Sequence, residues 1–426
     1  MSSGSLHYTT IGDLLRQHRE TANLSLTQLG DKSGVRKGHI SKIENSEIIN
    51  PKFVTLRRLV NALNIPFAEI ITLFIDLDQK ANTLYEILQE TINTADIPLV
   101  TKVSFKYLES PQEDSDTALG KLYALISSCA ADPPLKNAMY NVIISYARSH
   151  GVMPYLAKGQ LQSYLIERDD FTRLTTTYQI GKNILNYSNF LSHEENIILH
   201  YKLGIHAYVL RRYEDCIELC HHVILHDKTS SQFKGESYYA LCNAYYYLGD
   251  YTLAQENLDK YSTFTFPKVE EDVRFMTGSI NGKIGNVDLA ITQLEDCLKQ
   301  TPMDNLIYIV TTLLELYLEK ENSQKIIKIF SYENNIQDAT TPFKKFILAQ
   351  FYKLKGDYFV NINEYSNAVH YYLESARRFA KASDTPIEPE FMKLLFNLYA
   401  QKNHVMDKVT IEMIQDFFDR HNKSSF

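Results

Sequence analysis

Apolar residues return at helical spacing from the start of the chain. Ile11, Leu14 and Leu15, then Leu26 and Leu29, then Val35, Ile40 and Ile43, then Phe53, Leu56, Leu59, Val60 and Leu63 recur three or four positions apart. That spacing gathers them on one face of a helix and leaves polar residues for the other. The breaks carry turn chemistry. Asn23 and Gly34 mark turns, Ser25 stands as an N-cap before Leu26, and Pro51 sits where a helix begins, its missing N–H costing nothing there. The pattern predicts helices near 10–21, 26–32, 37–45, 52–63 and 67–75.

From about residue 80 the helical signal continues, broken at Pro98, a polar stretch at 110–116, Pro133-Pro134, Gly151 and Pro154, with no strand signal of any strength. The later segments repeat one another. Leu248-Gly-Asp-Tyr-Thr-Leu-Ala254 matches Ile284-Gly-Asn-Val-Asp-Leu-Ala290, and shorter forms recur at Arg212-Tyr-Glu-Asp-Cys216 and Glu364-Tyr-Ser-Asn-Ala368. Aligning Tyr213, Tyr251, Val287, Ser323 and Tyr365 gives intervals of 38, 36, 36 and 42 residues, the Ser323 copy being degenerate. Seven positions before the turn residues 211, 249, 285, 321 and 363 stand Gly204, Cys242, Gly278, Leu314 and Gly356, mostly small, as required where two helices approach closely. This resembles the tetratricopeptide family over about residues 196–382, with helix pairs from about 80 to 190 as more divergent members. The resemblance implies an all-α chain whose second part, residues 76–426, is a right-handed superhelix in which each helix pair covers its neighbour's apolar face.

Composition narrows the class. With 44% hydrophobic and 22% charged residues, including 29 Tyr and 21 Phe, the chain has material for a core throughout. Five widely spread cysteines (Cys129, Cys216, Cys220, Cys242, Cys297) fit a reducing compartment better than a disulfide framework. Residues 1–10 show no secretory leader, and the best apolar stretch, Ala68 to Leu77, is interrupted by Glu69 and Asp76. A soluble cytoplasmic protein with no membrane contact is expected. Residues 1–75 hold nine Lys/Arg against six Asp/Glu, a net of +3, which leaves −10 for the rest of a chain whose total is −7. Only the small basic part is suited to phosphate.

Leu24-Ser-Leu-Thr-Gln-Leu-Gly-Asp-Lys-Ser-Gly-Val35, followed by Arg36-Lys-Gly-His-Ile-Ser-Lys-Ile-Glu-Asn45, Pro51 and Leu59-Val-Asn-Ala-Leu-Asn64, resembles the Xre or lambda-repressor-like helix-turn-helix family over roughly residues 11–65. The resemblance implies that residues 1–75 bind double-stranded DNA, with 37–45 as the recognition helix in the major groove. Ile40 and Ile43 would face the core and turn Lys37, His39 and Lys42 outward. Lys37 and His39 are the best base readers, Lys42 can donate to guanine or phosphate, and Arg36, Ser41, Lys52 and Arg16 are phosphate candidates. Each has an ordinary solvated position as its alternative. Two departures stand out: Leu26 replaces the Gln common at the start of the second helix, and Gly38 leaves a gap on the recognition helix. Arg19 and Glu44 match the family's internal ion pair and are expected to join helix 1 to the recognition helix.

The fusion of such a module to a repeat array resembles the RRNPP family of peptide-responsive regulators of Gram-positive bacteria, nearest in length to its NprR-like members. That resemblance implies a quorum-sensing regulator in which a short signalling peptide lies along the concave face, its backbone held by Asn side chains, and it points to Asn243. In the repeat register Tyr201, Tyr208, Tyr239, Tyr246, Phe275, Ser279, Glu315, Gln350, Lys353 and Asp357 also turn inward, with repeat-interface packing as the alternative for each Tyr. A homodimer or higher oligomer is expected, because one small helix-turn-helix gains useful affinity by pairing on two half-sites. The alternative is a repeat scaffold that binds and inhibits a signalling protein such as a phosphorelay component.

Cys216, Cys220, His221, His222 and His226 have metal-like spacing, but both thiols fall on packing positions of a repeat, and no metal is expected. Glu270-Glu271-Asp272 reads as a solvated helix start. Neither a phosphate loop nor a nucleophile motif nor paired catalytic carboxylates stand out, so no cofactor and no enzymatic activity are expected.

Overall fold

The capping residues decide where the first helices start and stop. In the computed structural model, which describes residues 10–300, 305–336, 339–382, 393–394 and 408–422, Ile11–Thr21 (α1), Leu26–Ser33 (α2), Lys37–Glu44 (α3), Phe53–Leu63 (α4) and Phe67–Phe74 (α5) form the N-terminal run. Ser25 caps α2 in a reciprocal box: the Gln28 N–H donates to Ser25 Oγ at 3.3 Å and the Ser25 N–H donates to Gln28 Oε1 at 2.8 Å. Gly34 ends α2 at φ 70°. Pro51 lies one position before the N-cap Lys52 of α4, just outside the helix it was expected to begin.

Ala81–Ile92 (α6), Ile97–Leu108 (α7), Ser115–Ser128 (α8), Pro133–His150 (α9) and Met153–Glu167 (α10) follow. Leu14, Ile40 and Leu59 of the first helices and Leu88, Val100, Leu119 and Ile143 of the later ones are wholly buried in one continuous core. Arg57 pairs with Glu90 at 2.8 Å, joining α4 to α6. The compact units accordingly divide beyond the helix-turn-helix. One takes in the chain to Glu167 together with Asn183–Leu191, the other Arg168–Lys182 and everything from Ser192. Leu174–Ile184 (α11) carries the boundary within it.

The second unit is built of helix pairs. His193–Val209 (α12) packs on Tyr213–His226 (α13), Gln232–Leu248 (α14) on Tyr251–Tyr261 (α15), and Val269–Lys283 (α16) on Val287–Gln300 (α17). Leu306–Glu319 (α18) packs on Ser323–Phe330 (α19); after Glu333–Ile336 (α20), Pro342–Asn361 (α21) packs on Tyr365–Ala382 (α22). Lys408–Asn422 (α23) comes last. The second helices begin at Tyr213, Tyr251, Val287, Ser323 and Tyr365, the residues that the repeat register aligns. Before each, the chain turns through a left-handed residue: Arg211 (φ 60°), Gly249 (85°), Gly285 (93°), Glu321 (54°) and Asn363 (61°).

The small residues seven positions earlier let the paired helices touch. A Cβ on Gly204 would stand 2.8 Å from Cys220 Sγ, on Gly278 2.9 Å from Leu294, and on Gly356 2.6 Å from Tyr372. Each contact falls sixteen residues along the chain, so the pairs repeat one geometry. Cys216 and Cys220, their sulfurs 3.9 Å apart, are wholly buried at the two packing positions of α13. Every regular element among the described residues is a helix, and none of these is long and apolar enough to cross a membrane. The architecture is all-α, a helix-turn-helix followed by tetratricopeptide-like repeats.

Candidate functional site: the recognition helix and the repeat cavity

Two buried isoleucines orient α3. Ile40 and Ile43 are wholly buried, which leaves Lys37 and Lys42 exposed and His39 and Ser41 half-buried. Arg36, before the helix, and Lys52, the N-cap of α4, are exposed. On helical geometry Lys37 and Ser41 share one strip of α3 and His39 and Lys42 another, about 150° round the helix, with Gly38 between the two. Around Gly38 nothing lies within 4 Å of where a Cβ would stand, so the recognition surface has a real gap.

The base of this helix is held from α1. Arg19 Nε and Nη2 donate to Glu44 Oε1 and Oε2 at 2.7 and 2.9 Å, and Arg19 Nη1 donates to the Leu24 carbonyl at 3.0 Å. This is the ion pair expected from the sequence. Arg16 has a competing role to the phosphate contact expected of it: its Nη2 donates to the Glu44 carbonyl at 2.5 Å and to Asn45 Oδ1 at 2.6 Å, closing the end of α3. Gly12 permits this approach, since a Cβ there would strike the Ile43 carbonyl oxygen.

The second unit holds a partly open cavity of about 960 Å³, lined mainly by the first helices α12, α14, α16, α18 and α21. That is near the top of the roughly 300–1,000 Å³ usual for ligand pockets. Tyr208, Tyr239, Asn243, Tyr246, Phe275, Ser279 and Gln350 all line it. Lys353 does not; its ammonium is tied to Asp357 on its own helix at 2.9 Å. Asn243 sits among phenols: its Nδ2 donates to the Tyr239 carbonyl at 2.8 Å, and the Tyr208 hydroxyl donates weakly to its Oδ1 at 3.5 Å. Burial holds the Tyr208 and Tyr239 hydroxyls protonated well beyond the usual phenol range.

Rings of the first and last helix pairs meet across the array beside the cavity. Tyr208 of α12 lies 4.7 Å from Phe343 of α21, centroid to centroid, with Tyr247 of α14 edge-on to the same ring at 5.9 Å. The Arg211 guanidinium stands over Phe346 at 4.8 Å.

Sequence reasoning placed Glu315 in the lining, where it is found, but missed the carboxylates of α14 and α16. Glu270 is exposed as expected of a solvated helix start, but Glu271 and Asp272 are half-buried and line the cavity, which corrects that reading. Burial pushes the Asp272 carboxyl up to about 6, although the Tyr261 hydroxyl donates to it at 2.9 Å. A signal was present: Glu236, Tyr239 and Asn243 on α14 and Asp272, Phe275 and Ser279 on α16 share the spacing i, i+3, i+7, which puts each set on one helix face.

Residues 15–70 match the helix-turn-helix family. Among curated proteins the chain is similar to the HTH-type transcriptional repressor RghR of Bacillus subtilis (strain 168), 41% identical over 58 residues. That alignment takes in 14% of this chain and 43% of RghR, so the chain spans less than half the length of that relative. Two solved structures give looser likenesses. The Bacillus thuringiensis PlcR, crystallised with the peptide PapR7 and DNA, shares 13% identity over 65% of this chain and 100% of its own, at a TM-score of 0.24. The yeast Tom70 shares 13% identity over 93% and 99%, at a TM-score of 0.29. At such scores neither says anything further about this chain.

Proposed function

We propose that the chain is a sequence-specific DNA-binding transcription regulator controlled by a short signalling peptide held in the repeat cavity. Residues 1–75 would serve as the DNA-binding module and residues 76–426 as the ligand-binding and oligomerisation part, acting in the cytoplasm as a homodimer or higher oligomer. The observation that carries the reading is the cavity itself: a tyrosine-walled space, open on one part to solvent, with the amide of Asn243 in its lining, in the same chain as a helix-turn-helix. An extended peptide backbone needs both a donor and an acceptor, and one amide side chain supplies both. Lys37 and His39 read bases in this account, Lys42 reads or grips phosphate, and Arg36, Ser41 and Lys52 hold phosphate.

Control requires the peptide to bind two states of the array unequally, since equal affinity shifts no equilibrium. A stack of helix pairs can answer to an occupant that touches several first helices, because small changes at successive interfaces add along it. The test is to purify the full chain from its own host, release bound material with acid and identify it by mass spectrometry. Duplex selection on the same protein, with and without the recovered peptide, follows. Recovery of a short peptide that changes DNA affinity, spacing preference or oligomeric state supports the reading. A peptide that binds and changes none of these would sink the control mechanism.

A further inference from the structure

The cavity is not uniform in charge. Glu236 is the fifth residue of α14, Glu271 and Asp272 lie in the first turn of α16, and Asn305 caps α18, so the N-terminal ends of two first helices bring three carboxylates to the cavity lining and a third brings an amide. Each is met by neutral donors. Glu236 accepts from Tyr201 and from Gln232 Nε2 at 2.6 Å, Glu271 from Asn305 Nδ2 at 2.9 Å, and Asp272 from the Tyr261 hydroxyl. Among the described residues no base lies within ion-pair distance of these three. Of the bases lining the cavity, Lys283 is taken by Glu315 at 2.6 Å and Arg274 by Glu270 at 3.2 Å, while Lys268 reaches Asp272 only through the longer-range field.

A second observation points to an occupant. Thr311 of α18 lines the same cavity, is 6% exposed, and its hydroxyl has no hydrogen-bond partner. A buried hydroxyl left unbonded costs free energy that a ligand's polar group would relieve. Acidic residues in a first turn are ordinarily explained by the helix dipole. That explanation covers exposed Glu270 and fails for Asp272, which is turned into a low-dielectric space and kept there at an electrostatic cost.

We propose that this acidic lining selects a ligand carrying a positive charge, an ammonium or guanidinium group, and that Asp272 is the carboxylate that receives it. The inference rests on the cavity being a peptide site. The charge has two sources, the free N-terminus of a peptide or a Lys or Arg side chain along it, and either supplies the ion-pair partner that these three carboxylates do not find in the lining. Tyr239, Tyr261 and Tyr308 approach Asp272 from α14, α15 and α18 and reduce the water around it. A desolvated charged hydrogen bond is among the stronger single contacts a ligand can make.

The test uses the full chain and three synthetic heptapeptide libraries: free N-termini without Lys or Arg, acetylated N-termini with one Lys or Arg, and acetylated N-termini with no basic residue. Protein and library are mixed, separated by gel filtration, and retained peptides are quantified by mass spectrometry. Retention from the first library assigns the charge to the N-terminus and from the second to a side chain. Either should exceed the third by roughly tenfold or more, and Asp272→Asn should abolish the difference while Asp272→Glu keeps part of it. Thermal melts of both variants establish that they fold. Equal retention of the neutral library, or a charge preference untouched in Asp272→Asn, overturns the inference and leaves the peptide reading standing. No retention from any library overturns both.

Discussion

Arg19 and Glu44 form a two-pronged ion pair, 2.7 and 2.9 Å, between α1 and the end of α3. Glu44 is 4% exposed and Arg19 13%, so neither charge is shared much with water. Without Glu44, Arg19 keeps only the exposed Glu20 carboxylate at 3.4 Å and the Leu24 carbonyl, so the loss should fall at or below the roughly 3–5 kcal/mol that breaking a buried pair costs. Glu44→Ala should therefore lower the urea midpoint of the first unit sharply; a loss under about 1 kcal/mol would mean that the pair is not what holds the recognition helix.

Lys37 and Lys52 are both exposed and should leave different marks on DNA binding. Lys37→Ala should relax preference at one position of the site by about 1–3 kcal/mol. Lys52→Ala should weaken all sequences alike and reduce the salt slope by about one unit. Titrations on matched and mismatched duplexes at several salt concentrations separate the two, and identical profiles would remove the distinction between reader and phosphate grip.

Asn243→Ala should weaken peptide binding by about 1–3 kcal/mol and leave peptide-free DNA affinity near the parent's. Calorimetry with the recovered peptide measures the first and DNA titration the second. Unchanged peptide affinity would take Asn243 out of the site.

Asp272 predicts a pH dependence of stability. Its carboxyl binds a proton more tightly in the folded protein, about 6, than in the unfolded chain at 3.8. The folded state therefore holds the extra proton between these values, and stability falls as pH rises through that window. Above it the cost is fully felt. Asp272→Asn should flatten this part of the profile and add about 1 kcal/mol at pH 7.5, a figure reduced for the group's partial solvent access. Denaturant titrations from pH 4 to 8 decide it, and an unaltered slope in the variant would refute the assignment.

Gly356→Ala should cost more than Gly278→Ala. The new methyl meets the ring of Tyr372, whose hydroxyl is anchored to Asp357 at 2.6 Å, whereas Leu294 beside Gly278 can change rotamer. Overpacking of this kind costs about 1–3 kcal/mol. Thermal melts of the two variants would show the order, and a reversed order would argue against a rigid α21–α22 contact.

The helices were legible because their punctuation is local. Ser25, Gly34, Gly249 and Gly285 each act on residues a few positions away, and the small residue seven before each turn reports a contact within one pair. The meeting of rings beside the cavity was not, because Tyr208 and Phe343 come together only after five helix pairs have set their angles. Lys353 shows how a register fades: ten residues after Phe343 at about 100° per residue, it has turned about 80° from the cavity-facing line, while Gln350 is only about 20° off. Asp272 was misread because a first-turn acid has a local explanation, and burial is not local.

The rings that meet beside the cavity bear on time as well as place. On the proposed reading, a peptide whose exit required the Tyr208, Tyr247 and Phe343 contacts and the Arg211–Phe346 contact to part would be released slowly, since each aromatic pair holds with about 0.5–1.5 kcal/mol beyond its buried area. Breaking several together lengthens residence by orders of magnitude without tightening the encounter, since affinity differences are expressed mainly in the off-rate. Were the cavity the proposed peptide site, a response would outlast the dilution of its peptide, with the duration of that memory set by a seam of aromatic side chains.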